Sequence, residues 1–418
     1  MKCGYNDLKC GLIGRKLGHS FSSMIHNSLA DYSFELYELE PDELESFVKN
    51  GNLDAFCVTV PYKKDVMPFL DEISKEALNI GAVNVVVRKK DGKLYGYNTD
   101  YFGFDYMVRS SGISIKGKKA IVFGRGGASA TVCALLRAKG TTELVTVGPE
   151  DNTHENLLQH SDADIVVNAT PIGMYPNNGE VPADLSYFPE CKAVFDVIYN
   201  PSRTAIMIEA EKREITAVGG LSMLVAQAAK AFEYFTGEQY ENGIIERIIE
   251  DITLKTENII LIGMPGSGKS TVGSLVAQML DREFLDSDNE FVSIHGITPA
   301  KAITNLGEEK FRLMETQVLS KIAKQSGKVI ATGGGAVTER RNYPLLHQNG
   351  TIVFLDRDID KLETTNRPLS QKSSPKELYN ARIDLYKDFA DICVKSTEVK
   401  NLTAEAIVSE FKNYIARR

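Results

Sequence analysis

The stretch IILIGMPGSGKST, Ile259–Thr271, joins an apolar run to a glycine-rich turn that ends in lysine and serine. Gly263-Met264-Pro265-Gly266-Ser267-Gly268-Lys269-Ser270 fills every position of the phosphate-binding pattern G-x-x-x-x-G-K-[ST]. The four apolar residues before it read as a buried strand, and Thr271 to Leu280 as the helix that the turn opens. In that setting the N–H groups of Gly266, Ser267, Gly268 and Thr271 cradle phosphates. Lys269 supplies a point charge at the β/γ oxygens, and the Ser270 hydroxyl ligates Mg²⁺. This part of the chain is therefore expected to be an α/β domain with a parallel sheet that binds ATP or a similar nucleoside triphosphate.

Further along, Phe284-Leu285-Asp286-Ser287-Asp288 reads as a strand end with carboxylates at i and i+2. On a strand these point the same way, one toward the metal and one toward a hydroxyl acceptor whose proton it takes. A solvated strand end is the simpler alternative. Arg312, the run Gly333-Gly334-Gly335, Arg367-Pro368-Leu369 and Arg382 follow. Glycines at a strand end let backbone donors meet a small polar ligand. Separated arginines suit carboxylates and phosphates. Gly-x-x-x-x-Gly-Lys-Ser, Asp-x-Asp, Gly-Glu-x-x-Phe-Arg (Gly307 to Arg312), Gly-Gly-Gly and Arg-Pro-Leu together resemble shikimate kinase over residues 256–418. The resemblance implies that Asp288, Arg312, Gly334, Gly335 and Arg382 hold shikimate, with Asp288 beside the phosphorylated hydroxyl. It further implies that Arg367 belongs to a lid over ATP and that Asp286 supports Mg²⁺. Leu362 to Arg367 is short where that family carries a longer lid with another arginine.

The chain has 418 residues, which exceeds one core, so two or three domains are expected. A net charge of −8 argues against nucleic acid as the main partner. Cysteines 3, 10, 57, 133, 191 and 393 form no Cys-x-x-Cys pair and read as reduced thiols. With neither a signal-like start nor a membrane-length apolar run, the expectation is a soluble cytoplasmic protein.

Upstream, Val122-Phe123-Gly124-Arg125-Gly126-Gly127-Ala128-Ser129-Ala130 reads as a strand turning into a helix, Ala128 to Lys139. The strands Leu144–Val147, Asp164–Asn168 and Ala193–Val197 make this a βαβ context, as a dinucleotide loop requires. Before it, Leu12–Gly14, Phe34–Tyr37 and Ala55–Val60 read as strands of another α/β layer. Around them lie Ser20 and Ser22, Thr59 with Lys63, Asn84, and Asn98-Thr99-Asp100; Gly219-Gly220-Leu221-Ser222-Met223 opens a helix carrying Gln227. Singly each has a plain explanation, such as a solvated lysine or a helix N-cap.

In this order Ser-x-Ser, Val-Thr-Val-Pro-x-Lys, Gly-Ala-Val-Asn, Asn-Thr-Asp, Gly-x-Gly-Gly-Ala-Ser, Asn-Ala-Thr-Pro-x-Gly-Met and the Met223/Gln227 helix resemble shikimate dehydrogenase over residues 5–240. The resemblance implies that Ser20, Ser22, Thr59, Asn84, Asp100 and Gln227 bind substrate, with Lys63 and Asp100 the catalytic pair. It implies dinucleotide contacts from Gly124, Arg125, Gly126, Gly127, Ala128, Ser129, Thr170, Gly220 and Met223. Hydride addition to a ketone develops an alkoxide, which needs a positioned proton donor; Lys63 can donate, with Asp100 orienting it or sharing the proton. Cys57 and Ser23 stand where the family has asparagine and proline, and the thiol is expected to weaken one substrate contact. The family uses NADP(H) and places Asn-Arg-Thr after the second strand. Here Gly148-Pro149-Glu150-Asp151 stands instead, which suits the free ribose hydroxyl of NAD(H).

The expected organisation is a substrate lobe over 1–105, a Rossmann-type dinucleotide lobe over 106–224, and helices over 225–253 that return to the first lobe. A P-loop kinase domain occupies 256–418. The expected activity is bifunctional, from 3-dehydroshikimate through shikimate to shikimate 3-phosphate. Two alternatives stay open: a quinate-active dehydrogenase joined to another small-molecule P-loop kinase, and a non-enzymatic sensor on the same folds.

Overall fold

The computed structural model describes residues 5–18, 20–362 and 375–418. They form two compact units, Met1–Tyr199 with Glu209–Ile249, and Asn200–Ile208 with Glu250–Arg418.

The first unit holds two sheets. β1 (Lys9–Gly14), β2 (Ser33–Glu38), β3 (Ala55–Val58), β4 (Glu72–Ile73), β5 (Val85–Arg88) and β6 (Leu94–Tyr97) run in the order β2-β1-β3-β5-β6-β4. The β1, β2 and β3 pairings are parallel, whereas β5 is antiparallel to β3 and β6. β1, β3 and β5 are almost wholly buried, with cores on both faces built from Leu12, Val85 and Phe232 on one side and Ile13, Phe56 and Val86 on the other.

The second sheet contains β7 (Lys119–Phe123), β8 (Glu143–Val147), β9 (Ile165–Asn168), β10 (Ala193–Asp196) and β11 (Thr216–Val218), all parallel, in the order β11-β10-β9-β7-β8. The chain leaves β7 first toward β8 and then returns to build β9 on the other side. The crevice beyond the ends of β7 and β9 is thus the topological switch point where ligands bind in open parallel sheets. The glycine turn after β7 and Thr170 after β9 lie there.

The second unit has one parallel sheet of β12 (Asn258–Ile262), β13 (Phe284–Asp286), β14 (Val329–Ala331), β15 (Gly350–Asp356) and β16 (Ile392–Lys395), ordered β13-β14-β12-β15-β16. β12 is central, so the loop leaving it is flanked by the ends of β14 and β15. The buried side chains of Ile260, Ile262 and Phe354 pack on one face, and those of Ile259, Leu261 and Val353 on the other.

The helices expected over 225–253 are Leu221–Thr236 and Ile244–Thr256, and Gly237 takes the left-handed conformation that closes the first. One local expectation differs from the structure. Asp288 is on a helix, not a strand: β13 stops at Asp286 and Ser287–His295 is helical. Asp286 caps that helix, its Oδ1 accepting from the N–H groups of Asp288 and Asn289. A capping side chain and a first-turn side chain do not share a strand face, so the alternation argument for this pair fails. Among the described residues no helix is long and apolar enough to cross a membrane.

Candidate functional site

In the first unit, Lys63 follows β3 and Asp100 opens the helix Asp100–Ser110. Nζ of Lys63 donates to Oδ2 of Asp100 at 2.6 Å, with the side chains 17% and 9% exposed. Sparse water strengthens such a charge-assisted contact without closing it to a ligand. Beside it lies a buried amide and hydroxyl network. Nδ2 of Asn84 donates to Oγ1 of Thr99 at 3.0 Å and to Oε1 of Gln227 at 3.3 Å, and the Thr99 hydroxyl donates to Gln227 at 3.2 Å. Thr99 is fully buried and was legible only as part of Asn-Thr-Asp. Ser20 and Ser22 form their own pair at 3.0 Å, and Thr59 is tied by its N–H to Ile13.

The Cys57 side chain belongs to the core. It is 5% exposed, with Sγ 3.8 Å from Nε2 of His26, and burial pushes its thiol up to about 12.

The glycine turn lies against this pair. A methyl group on Gly127 would sit 3.7 Å from Cδ of Lys63. Gly124 has φ of +112°, and a methyl there would come within 2.8 Å of the Ala169 carbonyl oxygen, so only glycine lets the two strand ends approach. Oγ of Ser129 donates to the Gly124 carbonyl at 2.6 Å, and the Thr170 hydroxyl to Oδ1 of Asn168 at 2.7 Å. Gly126 and Gly127 begin a helix with free N–H groups, a setting that fits a pyrophosphate. Gly220 is tied by its N–H to Ile198, and Met223 packs among the buried side chains of the second sheet. Arg125 is gripped by Glu150 and Asp151, one carboxylate on each terminal nitrogen.

In the second unit, Nζ of Lys269 donates to the carbonyls of Gly263 and Met264 at 2.9 Å each, spanning the loop it belongs to. The Ser270 hydroxyl donates to Oδ2 of Asp286 at 2.6 Å, which puts two hard oxygen donors side by side, as Mg²⁺ requires. A pair of hard oxygens suits a Mg²⁺ whose remaining ligands are nucleotide phosphates and water.

The run Gly333–Gly335 is where the remaining groups converge. A methyl on Gly333 would lie 2.7 Å from Oε1 of Glu315 and 3.2 Å from Oδ1 of Asp288; on Gly334, 2.6 Å from Pro265 of the phosphate loop. On Gly335 it would collide with the Arg312 guanidinium. Any side chain would therefore fill the space. Arg382 and Tyr386 both donate to the Gly334 carbonyl. Arg312 is 4% exposed and donates from Nη1 to Glu315 at 2.6 Å and from Nη2 to Glu308 at 3.1 Å. Burial alone would lower its pKa, but these carboxylates outweigh it and hold the guanidinium charged. Burial raises the Glu315 carboxyl above its ordinary range against the pull of Arg312. Glu308 belongs to the Gly-Glu-x-x-Phe-Arg stretch, whereas Glu315 and Tyr386 carry no motif of their own, and only their helical spacing from Arg312 and Arg382 points to them. Arg367 lies outside the described residues.

Residues 12–86 match the shikimate dehydrogenase substrate binding domain, residues 220–239 the shikimate 5'-dehydrogenase C-terminal domain, and residues 265–416 shikimate kinase. The shikimate dehydrogenase (NADP(+)) of Clostridium beijerinckii is 36% identical over 257 residues, covering 56% of this chain and 94% of that protein. A chorismate mutase/shikimate 5-dehydrogenase fusion from Clostridium acetobutylicum superposes with TM-score 0.55 at 33% identity, covering 59% of this chain and 97% of its own. The Thermus thermophilus shikimate 5-dehydrogenase in complex with NADP(H) and shikimate gives 0.53 at 29% identity, covering 58% and 99%. The chain belongs to the shikimate dehydrogenase family through its N-terminal part and carries a shikimate kinase domain in its C-terminal part.

Proposed function

We propose that this chain is a bifunctional oxidoreductase and phosphotransferase. Its first unit reduces 3-dehydroshikimate to shikimate with a nicotinamide dinucleotide, and its second phosphorylates shikimate to shikimate 3-phosphate with ATP and Mg²⁺. One feature supports it above the others: the reacting lysine of the first unit lies against its nucleotide loop, and the reacting aspartate of the second is joined to its phosphate loop through one glycine run. Lys63 runs along Gly127, and Asp288 lies beside a glycine run that packs on Pro265.

In the reductase, the dinucleotide, NADP(H) in the named relatives, supplies hydride when bound. Lys63 gives its proton to the alkoxide formed at the substrate, and Asp100 holds the ammonium in place through the 2.6 Å contact. Asn84, Thr99 and Gln227, already hydrogen-bonded to each other, fix substrate hydroxyls, with Ser20, Ser22 and Thr59 on the carboxylate and ring.

In the kinase, Ser270 and Asp286 would hold Mg²⁺, which would offset phosphate charge, and Lys269 steadies the transferring group. Asp288 accepts the hydroxyl proton of shikimate, while Arg312 and Arg382 bind its carboxylate over the bare backbone of Gly334 and Gly335. The free cysteines among the described residues and the acidic total suit a cytoplasmic enzyme of small molecules.

The test is a coupled assay of the purified chain with 3-dehydroshikimate, ATP·Mg²⁺, and NADPH or NADH in turn. Consumption of reduced nicotinamide should release ADP only after shikimate has formed. Preference for quinate over shikimate, or ADP release indifferent to shikimate, would overturn the reading.

A further inference from the structure

Two cations approach the phosphate loop from elements that none of the motifs covers. Arg357 is the first residue after β15, and Lys400 is the first residue of the helix Lys400–Arg417. A methyl group placed on Gly268, the last glycine before Lys269, would lie 3.0 Å from Nζ of Lys400 and 3.7 Å from Nη1 of Arg357. Gly268 has φ of +94° and caps the helix Lys269–Leu280, whose free N–H groups add positive potential at the same point. Nη1 of Arg357 is buried and has no hydrogen-bond partner among the described residues. Glu398, the carboxylate two residues before Lys400, is engaged by Lys361 at 2.7 Å and is within electrostatic reach of Arg357.

Three positive features at one turn make it a favourable place for an anion. β15 flanks β12 on the side away from β14, so this cluster lies across the loop from the glycine run.

We propose that Arg357 and Lys400 are nucleotide-binding residues that take the phosphates of ADP and ATP at Gly268. The assignment rests on the kinase reading of the second unit. It explains why the chain carries a cation immediately after β15 and another at the start of its last helix. A guanidinium there engages two phosphate oxygens at once, and the ammonium adds a point charge beside it.

The test is a titration of the full chain with a fluorescent mant-ADP in the presence of Mg²⁺. Arg357→Met and Lys400→Met are each expected to weaken binding roughly tenfold, since each removes one charge-assisted contact. Arg357→Lys should bind within about threefold of the parent, because the charge remains. Adenosine, which lacks phosphate, should displace the probe equally well from parent and variants. Methionine variants that bind mant-ADP within about twofold of the parent would overturn the proposal, as would a parallel loss of adenosine binding. The reductase rate of the same molecule reports folding. If Arg357→Met loses that rate as well, Arg357→Lys decides: retained binding supports the assignment and loss overturns it. Failure of the parent chain itself to bind mant-ADP would instead sink the kinase reading.

Discussion

Lys63 and Asp100 are in contact at 2.6 Å, and the stem of the same lysine runs along Gly127, where the helix after the dinucleotide turn begins. On the proposed reading, reduction and cofactor binding share one side chain, while the phosphate loop has its own lysine. Lys63→Ala is expected to lower the reductase kcat by about a hundredfold to ten-thousandfold, the range for a lost general acid, and to leave phosphorylation of added shikimate unchanged. Lys269→Ala should do the reverse. Steady-state rates of both half-reactions on each variant check this crossed pattern, and a variant that loses both or neither contradicts it.

On the proposed reading, the cofactor preference turns on Arg125. Its two carboxylate partners leave the region at the end of β8 with net negative charge, and a 2′-phosphate must compete with Glu150 and Asp151 for the guanidinium. All three side chains are at least a third exposed, so that exchange is possible but weakly opposed by solvent-screened pairing. The double substitution Glu150→Gln with Asp151→Asn should tighten NADPH binding roughly tenfold and change NADH binding by no more than about threefold. Titration of reduced-nicotinamide fluorescence reads both numbers. Unchanged NADPH affinity would remove these carboxylates from any role in selection.

His26 makes the first unit sensitive to mild acid. Its ring is fully buried, stacked on Phe34, with Nδ1 2.6 Å from the Tyr32 hydroxyl, and burial lowers its pKa from 6.5 to about 3. The unfolded chain thus binds a proton that the folded chain refuses, and stability falls as pH drops below 6.5. The slope approaches about 1.4 kcal/mol per pH unit. Urea unfolding followed through the reductase signal between neutral and mildly acidic pH should show this slope, and His26→Gln should flatten it.

Arg203 reaches Glu257 through both terminal nitrogens, at 3.3 and 3.2 Å, and each side chain is 1% exposed. Arg418 and Thr351 complete the shell of the carboxylate. Burial pushes Glu257 up, yet the two arginines outweigh it and hold the carboxyl below its usual range. Its contribution is present at neutral pH and is lost as pH falls through the carboxylate range. Arg203→Met leaves a buried charge with half its compensation and should cost about 3 kcal/mol. Calorimetry would detect a lowered Tm in the transition that ADP·Mg²⁺ stabilises, with the acid loss beginning at higher pH. An unchanged Tm would show that Arg418 alone suffices.

How much of this could be read from sequence depended on how local the cause was. The phosphate loop and the turn at Gly124 are dictated by adjacent residues, because positive φ and close backbone approach leave no substitute for glycine. Asp288 was misplaced on a strand because the cap formed by Asp286 ends β13 two residues early, a choice made by hydrogen bonds that alternation cannot see. Glu315 has no local signal, and Thr99 shows only as part of Asn-Thr-Asp, since the importance of both lies in what they touch across the fold. Cys57 gives no local signal of its surroundings, which are set by packing beside His26 and within electrostatic reach of Lys63 and Asp100.

The second unit draws Asn200–Ile208 from within the stretch of chain that otherwise builds the first. No single cut, therefore, separates the two chemistries with each part complete. Cleavage of the chain after Ile249 would part Glu257 from Arg203 and leave that buried carboxylate to Arg418 and Thr351. A kinase piece made by such a cut is therefore expected to be less stable than the same residues within the whole chain.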